Sequence, residues 1–355
     1  MIPTTDAVTP RGLPAQYDDM TGRAVSIVPL SQLLDGQEAD TFALLAAKSE
    51  GTTRDGKPFW RVTFRDCGRQ VSFPIWHDSA HFDACRDHWQ VGTCYKLRAA
   101  YGETKYGPQL EIRKIRPATP QDQADGFDES RLMPRSKYDS AQMFAELVQL
   151  AQSEIRSEPL RELTVGLLAA HRETLLPLAA ARRNHHAFAG GFLEHVLSVV
   201  RNAIFLADKY GRDYPEMQPP LSRDLVVAGA ILHDIGKVQE IAMTTLGAEY
   251  TAAGELIGHV LLGRDLVREA AQRHALDPET LLRLEHIIVS HQRLPEWGAP
   301  KPPMTPEALL VHFADDIDAK FQTALAALAE SSEGEFTAGR NPLGYKIFRG
   351  LQKPE

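Results

Sequence analysis

The segment ILHDIGKVQE, residues 231–240, places His233 and Asp234 side by side at the end of an apolar stretch. A buried imidazole beside a buried carboxylate needs a cation or a strong hydrogen-bond partner, because an unpaired buried charge is costly. Adjacent helical residues point about 100° apart, so both side chains can reach one ion only where a helix ends. Gly236 supplies a suitable end. The segment therefore predicts a metal site at a helix terminus.

Further candidate ligands lie on other apolar segments with helical periodicity: His195, His259, His291 and Asp315. Around His195, the apolar residues Phe192 and Val199 recur at helical spacing, so the imidazole faces inward. A single histidine on an apolar face is more often a core residue than a ligand. Four histidines and two aspartates in such positions indicate instead a two-metal hydrolase core.

The segment HIIVSHQ contains two histidines that compete for one ligand position. On a helix, His286 and His291 point about 140° apart and do not reach the same ion. We expect His291 to be the ligand and His286 to lie in the core or behind a ligand.

Five segments, in this order, resemble those of the YhaM-type 3′→5′ exoribonucleases, which join an N-terminal OB-fold to a C-terminal HD domain. They are HHAFAGGFLEH (185–195), LHDIGKVQEI (232–241), GELIGHVLLG (254–263), HIIVSHQ (286–292) and PMTPEALLVHFADDIDAKF (303–321). The resemblance extends from about residue 20 to about residue 325. It identifies the second half of the chain as similar to the two-metal branch of the HD-domain phosphohydrolases.

The resemblance also implies how the ligands divide between two divalent ions. The residues implied for the first ion are His195, His233, Asp234 and Asp315. Asp234 would bridge to a second ion held by His259 and His291. Imidazole and carboxylate donors suit Mn²⁺, our first choice, with Co²⁺, Fe²⁺, Ni²⁺ or Zn²⁺ as alternatives. Gln292 stands where two-metal HD proteins often carry another histidine, and its amide is a poorer ligand.

Asp234 and Lys237 are the predicted catalytic residues. Lys237 follows Asp234 by three residues, where its ammonium could neutralise a phosphate oxygen. We also expect His185, His186 and Arg264 to contact substrate phosphate, although a plain capping loop would account equally well for the two histidines.

The N-terminal part of the chain is locally basic although the whole chain has a net charge of −8. Residues 41–116 carry 13 basic and 8 acidic side chains. The run FWRVTF (59–64) alternates like a half-buried strand, residues 93–115 read as a hairpin, and a helix is expected near 79–88. This pattern predicts an OB-fold barrel that binds single strands by stacking and backbone charge. The predicted nucleic-acid-binding residues are Trp60, Arg61, Phe64, Trp76, Tyr101 and Tyr106, and about half of these aromatic residues are expected in the barrel core instead.

The predicted fold class is multi-domain, with an N-terminal all-β OB-fold barrel followed by an all-α HD domain. The predicted segments are a flexible leader (1–18), the OB-fold (19–118), an acidic linker (119–139), the HD domain (140–330) and a loop-like tail (331–355). The chain has no run of about 18 apolar residues and no secretory pattern, which predicts a cytoplasmic protein that does not span a membrane. The three cysteines lack paired-ligand spacing and are expected to be reduced thiols.

The sequence thus predicts a metal-dependent 3′→5′ exonuclease that acts on single-stranded RNA, with single-stranded DNA as an open alternative, and releases nucleoside 5′-monophosphates. The 3′→5′ direction of degradation is implied by the resemblance alone. One alternative is an HD phosphohydrolase of small nucleotides, such as a cyclic dinucleotide or dNTP, with the OB-fold as a regulatory module. Another is a nucleic-acid-binding adaptor with a vestigial HD core. Homo-oligomerisation is left open.

Overall fold

The computed structural model describes residues 26–105, 107–182, 186–329, 334–337, 339 and 341–351. The chain divides into two compact units between Pro134 and Arg135, inside the predicted linker. Within the described residues, no helix combines the length and the apolar character that crossing a bilayer requires.

The described residues of the first unit form a five-stranded antiparallel sheet in the order β3-β2-β1-β4-β5. The strands are β1 (Glu38–Thr52), β2 (Pro58–Arg65), β3 (Gln70–Trp76), β4 (Cys94–Thr104) and β5 (Gly107–Pro117). Strand β5 also contacts β3, and the helix α1 (Phe82–His88) lies between β3 and β4 along the chain. This connectivity is that of an OB-fold barrel, which confirms the predicted fold.

The long strand β1 allows the barrel to close because it changes partner along its length. Residues 38–44 pair with β4, whereas residues 44–52 pair with β2. A bulge between Leu45 and Ala47 bends the strand near the change of partner. The interior is filled by aromatic rings: Phe64 lies 5.9 Å from Trp89 and 6.1 Å from Tyr95 between ring centroids.

The segment after β5 carries two short 3-10 helices, Pro120–Asp125 and Glu129–Leu132. Asp122 is buried and accepts hydrogen bonds from both terminal guanidinium nitrogens of Arg116, at 2.6 and 2.7 Å, and from the backbone N–H of Thr119. The bonds from Arg116 outweigh the effect of burial and hold the pKa of Asp122 well below its usual range. The Arg116–Asp122 ion pair therefore connects the start of the predicted linker to strand β5.

The second unit is built from helices, as predicted, with one addition to the all-α expectation. Its helices are α2 (Ser140–Glu154), α3 (Glu158–Ala170), α4 (Arg172–Leu175), α5 (Gly191–Asp213), α6 (Arg223–Leu232), α7 (Lys237–Glu240), α8 (Ala252–Leu256), α9 (His259–Ala271), α10 (Pro278–Ser290) and α11 (Pro306–Ala329). The addition is a β-hairpin of strands β6 (Ile241–Thr244) and β7 (Gly247–Tyr250). The described part of the tail packs on this unit, since Arg349 donates to the carbonyl of Ala327 at the end of α11.

Helix α6 is the centre of the helical unit. Every residue from Leu225 to Leu232 is buried, and the helix contacts α5, α10 and α11. Gly229 allows α10 to approach closely, because a Cβ atom there would lie 2.7 Å from Cγ2 of Ile287. A helix that is apolar on all sides must lie inside the fold. The end of α6 therefore delivers its terminal residues to the interior.

We expect Asp122→Asn to destabilise the barrel by about 1.5–3 kcal/mol at neutral pH, since it replaces charge-assisted hydrogen bonds in a buried site. The pKa of the Asp122 carboxyl is lower in the folded state than in the unfolded state, where it is about 4. The carboxylate therefore contributes fully to the free energy of unfolding above about pH 4, and this contribution is lost as the pH falls below that value towards the pKa of the folded state. Urea unfolding followed by tryptophan fluorescence at pH 7 and below pH 4 would measure both effects.

The matched control for this substitution is Asp125→Asn, because Asp125 pairs with Lys96 but its side chain is 48% exposed. A partly exposed ion pair contributes about 0–1 kcal/mol to the free energy of unfolding. Equal losses in the two variants would contradict the role given to Asp122.

Candidate metal centre

The residues His233 and Asp234 lie in a tight turn between two helices. Helix α6 ends at Leu232, and α7 begins at Lys237. Asp234 is 2% exposed and His233 is fully buried. Gly236 lets this turn touch the start of α9, since a Cβ atom there would lie 2.0 Å from the carbonyl oxygen of His259. The turn therefore presents both side chains at the interior end of α6, as the sequence predicts.

Four imidazoles surround the carboxylate of Asp234, two on each oxygen. The Nε2 atoms of His195 and His233 lie 3.7 and 3.5 Å from Oδ2. The Nε2 atoms of His259 and His291 lie 3.3 and 3.4 Å from Oδ1. The arrangement thus contains two groups of ligand type that share one carboxylate.

Asp315, from α11, adds a second carboxylate to the first group only. Its Oδ1 lies 3.3 Å from Nε2 of His195 and 3.9 Å from Nε2 of His233. The structure thereby brings together all six residues that the sequence singles out as metal ligands.

Two of the imidazoles are anchored by backbone carbonyls at helix ends. His233 follows the last residue of α6 and donates from Nδ1 to the carbonyl of Ala230 at 2.8 Å. His291 follows the last residue of α10 and donates in the same way to Ile288 at 2.7 Å. In both cases Nδ1 carries the proton, so the lone pair of Nε2 faces Asp234.

The other two imidazoles are anchored by carboxylates. His195 Nδ1 lies 2.7 Å from Oδ2 of Asp318, and His259 Nδ1 lies 2.9 Å from Oε1 of Glu240. Glu240 also accepts from the backbone N–H of His259. Carboxylates behind metal-ligating histidines fix the tautomer and raise the basicity of the ligand nitrogen.

The carboxylates of the centre are held in their ionised form. Burial raises the pKa of Asp234, but the ammonium of Lys237, 2.5 Å from Oδ2, together with the imidazoles of His233 and His291, outweighs burial and lowers this pKa well below the usual range. The pKa of Asp315 is also lowered, because the neighbouring imidazoles outweigh burial. Burial lowers the pKa of His195, yet the carboxylates of Asp315 and Asp318 raise it to about 9. The centre therefore concentrates negative charge that attracts cations.

This donor set fits divalent transition-metal ions. Nε2 of His233 and Oδ1 of Asp234 are buried and make no hydrogen bond with any described residue. Buried polar atoms usually have partners, so such atoms facing one another mark a place where an ion belongs. Imidazole and carboxylate together are typical ligands of Mn²⁺, Fe²⁺, Co²⁺, Ni²⁺ and Zn²⁺.

Two polar side chains border the centre. Lys237 is buried and its ammonium is bound to Asp234, so its first role is to balance that carboxylate. Gln292 places its amide nitrogen 2.9 Å from Nε2 of His259. Because Nδ1 of His259 donates to Glu240, this Nε2 is an acceptor, and the amide competes with an ion for its lone pair.

The structure places His286 and His186 outside the group around Asp234. His286 accepts a hydrogen bond from the backbone N–H of Met304, away from Asp234. His186 is buried and its Nε2 lies 3.1 Å from Asp318, which leaves it behind His195 and not exposed to a substrate phosphate. His185 lies outside the described residues.

Arg264 also departs from its predicted role. Its guanidinium lies 3.0 Å from the carboxylate of Asp265, and the residue is not among those that line the cavity at the centre. Phosphate contact by Arg264 is therefore not supported by its position.

Sequence reasoning missed Glu240 and His312. His312 is buried and donates from Nδ1 to the carbonyl of His291, so it supports the chain at that ligand. Glu240 lies six residues after Asp234, and a lone acidic residue carries no sequence signal that distinguishes it from a surface residue. Asp318 follows Asp315 by three residues, and this spacing places the two carboxylates on one side of α11.

A cavity of about 270 Å³ opens at the centre. Its lining residues include Asp234, Lys237, Glu240, Tyr250, His259, His291, Gln292, Trp297, His312, Asp315 and Asp316. Substrate could therefore approach Asp234 and the second pair of histidines directly.

On the barrel, the structure corrects two of the predicted nucleic-acid-binding residues. Phe64 is fully buried in the core, and Tyr101 is 4% exposed, with its hydroxyl bound to Glu103. Neither ring can stack on a base, because both are covered by the barrel itself. Trp60 is also packed partly against the core. Tyr106 lies outside the described residues.

Two of the predicted residues, Arg61 and Trp76, lie together with the half-buried Phe59 on the outside of the barrel. Phe59 is paired with Trp76 across β2 and β3, with ring centroids 5.2 Å apart, and Trp76 is 47% exposed. The guanidinium of Arg61, two residues along the same strand face, lies 5.8 Å from the Phe59 ring. We call Phe59, Arg61 and Trp76 the barrel patch. Phe59 was not singled out from the sequence.

The comparison with family models bears on the second unit. Residues 192–320 match the family model of the HD domain, a region that contains all six ligand candidates. Among solved structures, the second OB-fold domain of replication protein A from Methanococcus maripaludis is similar to 26% of this chain and 93% of its own, with 16% identity and a TM-score of 0.20. The strand order of the first unit, rather than this weak similarity, identifies its barrel. The first unit is therefore an OB-fold barrel, and residues 192–320 of the second unit match an HD domain.

Proposed function

We propose that this protein is a metal-dependent 3′→5′ exonuclease that hydrolyses single-stranded nucleic acid, RNA in the first place, and releases nucleoside 5′-monophosphates. One observation carries the proposal: the two oxygens of Asp234 each face a separate pair of imidazole nitrogens. A carboxylate shared in this way could hold two divalent ions close together, and paired ions of this kind act in phosphodiester hydrolysis.

The six ligand candidates form two groups, and each group could hold one divalent ion. Mn²⁺ remains our first choice for both ions. His195, His233, Asp315 and Oδ2 of Asp234 would hold the first ion. His259, His291 and Oδ1 of Asp234 would hold the second. Such ions supply Lewis-acid activation of water and neutralise the charge of phosphoryl oxygens.

The charges of the chain itself support a requirement for cations. Asp234, Glu240 and Asp315 line one small cavity, and the pKa values of all three are lowered. A phosphodiester anion would be repelled from this cavity unless cations balanced the carboxylates. Lys237 contributes one positive charge and keeps Asp234 ionised and in place. Its catalytic role is therefore to position Asp234.

Features of the barrel surface favour a polymer over a small nucleotide as the substrate. The barrel patch offers an exposed tryptophan beside an arginine and a phenylalanine, and residues 41–116 carry five more basic than acidic side chains. Stacking and backbone charge bind single strands without reading sequence. The 3′→5′ direction and the preference for RNA are supported by the resemblance of the sequence to the YhaM-type exoribonucleases.

The test uses single-stranded RNA and DNA labelled at the 5′ or the 3′ end, incubated with the full-length protein and Mn²⁺, Co²⁺ or Mg²⁺. We expect 5′-labelled RNA to shorten stepwise and 3′-labelled RNA to release labelled mononucleotide at once. Asp234→Ala should lower turnover by at least about a hundredfold, because losing the shared carboxylate raises the barrier by several kcal/mol. Asp213→Ala, an exposed aspartate of α5 paired with Lys209, is the matched control.

Three outcomes would count against the proposal. Internal cleavage would exclude an exonuclease, and release from the 5′ end would reverse the polarity. Hydrolysis of cyclic dinucleotides or dNTPs without any attack on strands would favour the small-nucleotide phosphohydrolase, with the barrel as its regulatory module.

The two anchoring carboxylates should act on different ions. Glu240→Gln should lower the affinity for the ion bound by His259. Asp318→Asn should lower the affinity for the ion bound by His195. Loss of such a partner typically lowers metal affinity about 10- to 100-fold. Titration of the metal-free protein by calorimetry should show two binding events in the wild type and one selectively weakened event in each variant. Weakening of the same event by both substitutions would contradict the assignment of two separate groups.

A further inference from the structure

Two large aromatic side chains line the cavity of the candidate metal centre and are not needed to build it. Trp297 is 52% exposed and Tyr250 is 42% exposed. Neither belongs to the hydrophobic core formed by the described residues of the helical unit. Exposed large aromatic residues at a cavity are typical of ligand contacts, since their burial by a partner removes apolar surface from water.

Trp297 is held at the cavity by a short, strained loop that begins at the ligand His291. Arg293 has a φ of 65°, in the left-handed region that favours glycine. The loop is closed by backbone hydrogen bonds from Leu294 to Gln292 at 2.7 Å and from Trp297 to Leu294 at 3.0 Å. Strained residues held by their surroundings concentrate at functional sites. The loop thus fixes an aromatic ring six residues after a metal-ligand candidate.

Tyr250 reaches the cavity through the β-hairpin that follows the His233–Asp234 turn. It pairs with Ile241, which directly follows α7. The guanidinium of Arg182 lies 5.7 Å from its ring, and Arg182 is in turn 3.6 Å from Glu249 of the same hairpin. The contact with Arg182 restrains the ring.

The remaining cavity lining shows what the aromatic residues could recognise. Besides the Tyr250 hydroxyl, its titratable groups are three imidazoles, four carboxylates and one ammonium: His259, His291, His312, Asp234, Glu240, Asp315, Asp316 and Lys237. Its other members are mainly small or apolar: Ala180, Ala181, Ile241 and Ala319. Apart from Gln292, which is engaged with His259, this lining offers no uncharged amide or hydroxyl other than that of Tyr250 to read the edge of a base.

We propose that Trp297, assisted by Tyr250, forms a subsite that stacks on the nucleobase of the terminal nucleotide about to be released. The inference rests on the proposed exonuclease function and deepens it. Stacking accepts any base, because every base has a π-face, so the subsite favours a nucleotide over an abasic sugar without selecting among bases. Trp297 is thereby a positioning residue that sets the terminal phosphodiester against the metal centre.

The test compares short 5′-labelled RNA oligonucleotides that end, at the 3′ side, in an ordinary nucleotide or in an abasic residue. For the wild type we expect kcat/KM to be roughly 5- to 100-fold higher with the terminal base, the range that base stacking supports. Trp297→Ala should reduce this ratio to nearly one by slowing only the substrate that has the base. Trp297→Phe should restore part of the ratio, and Tyr250→Ala should lower it less than Trp297→Ala does.

Phe205→Ala is the matched control, since Phe205 is 66% exposed on α5 and does not line this cavity. It should keep the wild-type ratio. A misfolded fraction lowers both rates equally and leaves the ratio unchanged, so poor folding cannot imitate the expected result.

A wild-type ratio near one, or an unchanged ratio in Trp297→Ala, would overturn the stacking subsite while leaving the exonuclease intact. If the wild type shortened neither oligonucleotide, the proposed function itself would fail, and the subsite would fall with it. The two failures are therefore distinguishable in one assay.

Discussion

The helical unit is organised around one buried carboxylate. Asp234 is almost fully buried, yet it is ionised and shared by four imidazoles and one ammonium. Burying such a charge is tolerable only when partners surround it. The wholly buried helix α6, the turn that follows it and the close approach at Gly236 all serve to bring this carboxylate to its partners.

The two halves of the centre are built by the same local device. In each pair, one histidine (His233 or His291) directly follows a helix and donates to the carbonyl three residues earlier. The other histidine (His195 or His259) lies near the start of a helix and is hydrogen-bonded to a carboxylate. The halves differ in what is added. The first gains the carboxylate of Asp315, whereas the second has the neutral amide of Gln292 at His259. The second ion is therefore expected to be held less tightly.

That the six ligand candidates would lie together could be predicted from the sequence, because burying histidine and aspartate on apolar helices is costly unless they have partners. The anchoring Glu240 could not, since its burial depends on how the turn after α6 meets α9. The barrel shows the same limit. Aromatic residues were recognisable, but the face each one occupies depends on strand register, so Phe64 proved to be core while Phe59 and Trp76 meet on the outside. The β-hairpin that carries Tyr250 was missed because its strands are only four residues long and lie within a helical domain.

The most direct test of the shared carboxylate is the anomalous diffraction of crystals of the full-length protein grown with Mn²⁺. We expect two peaks about 3.5–4 Å apart, the spacing of two-metal sites, with one beside Oδ2 of Asp234, His195 and His233 and the other beside Oδ1, His259 and His291. A single peak at saturating Mn²⁺, or two peaks of which only one borders Asp234, would contradict the bridging role of this residue.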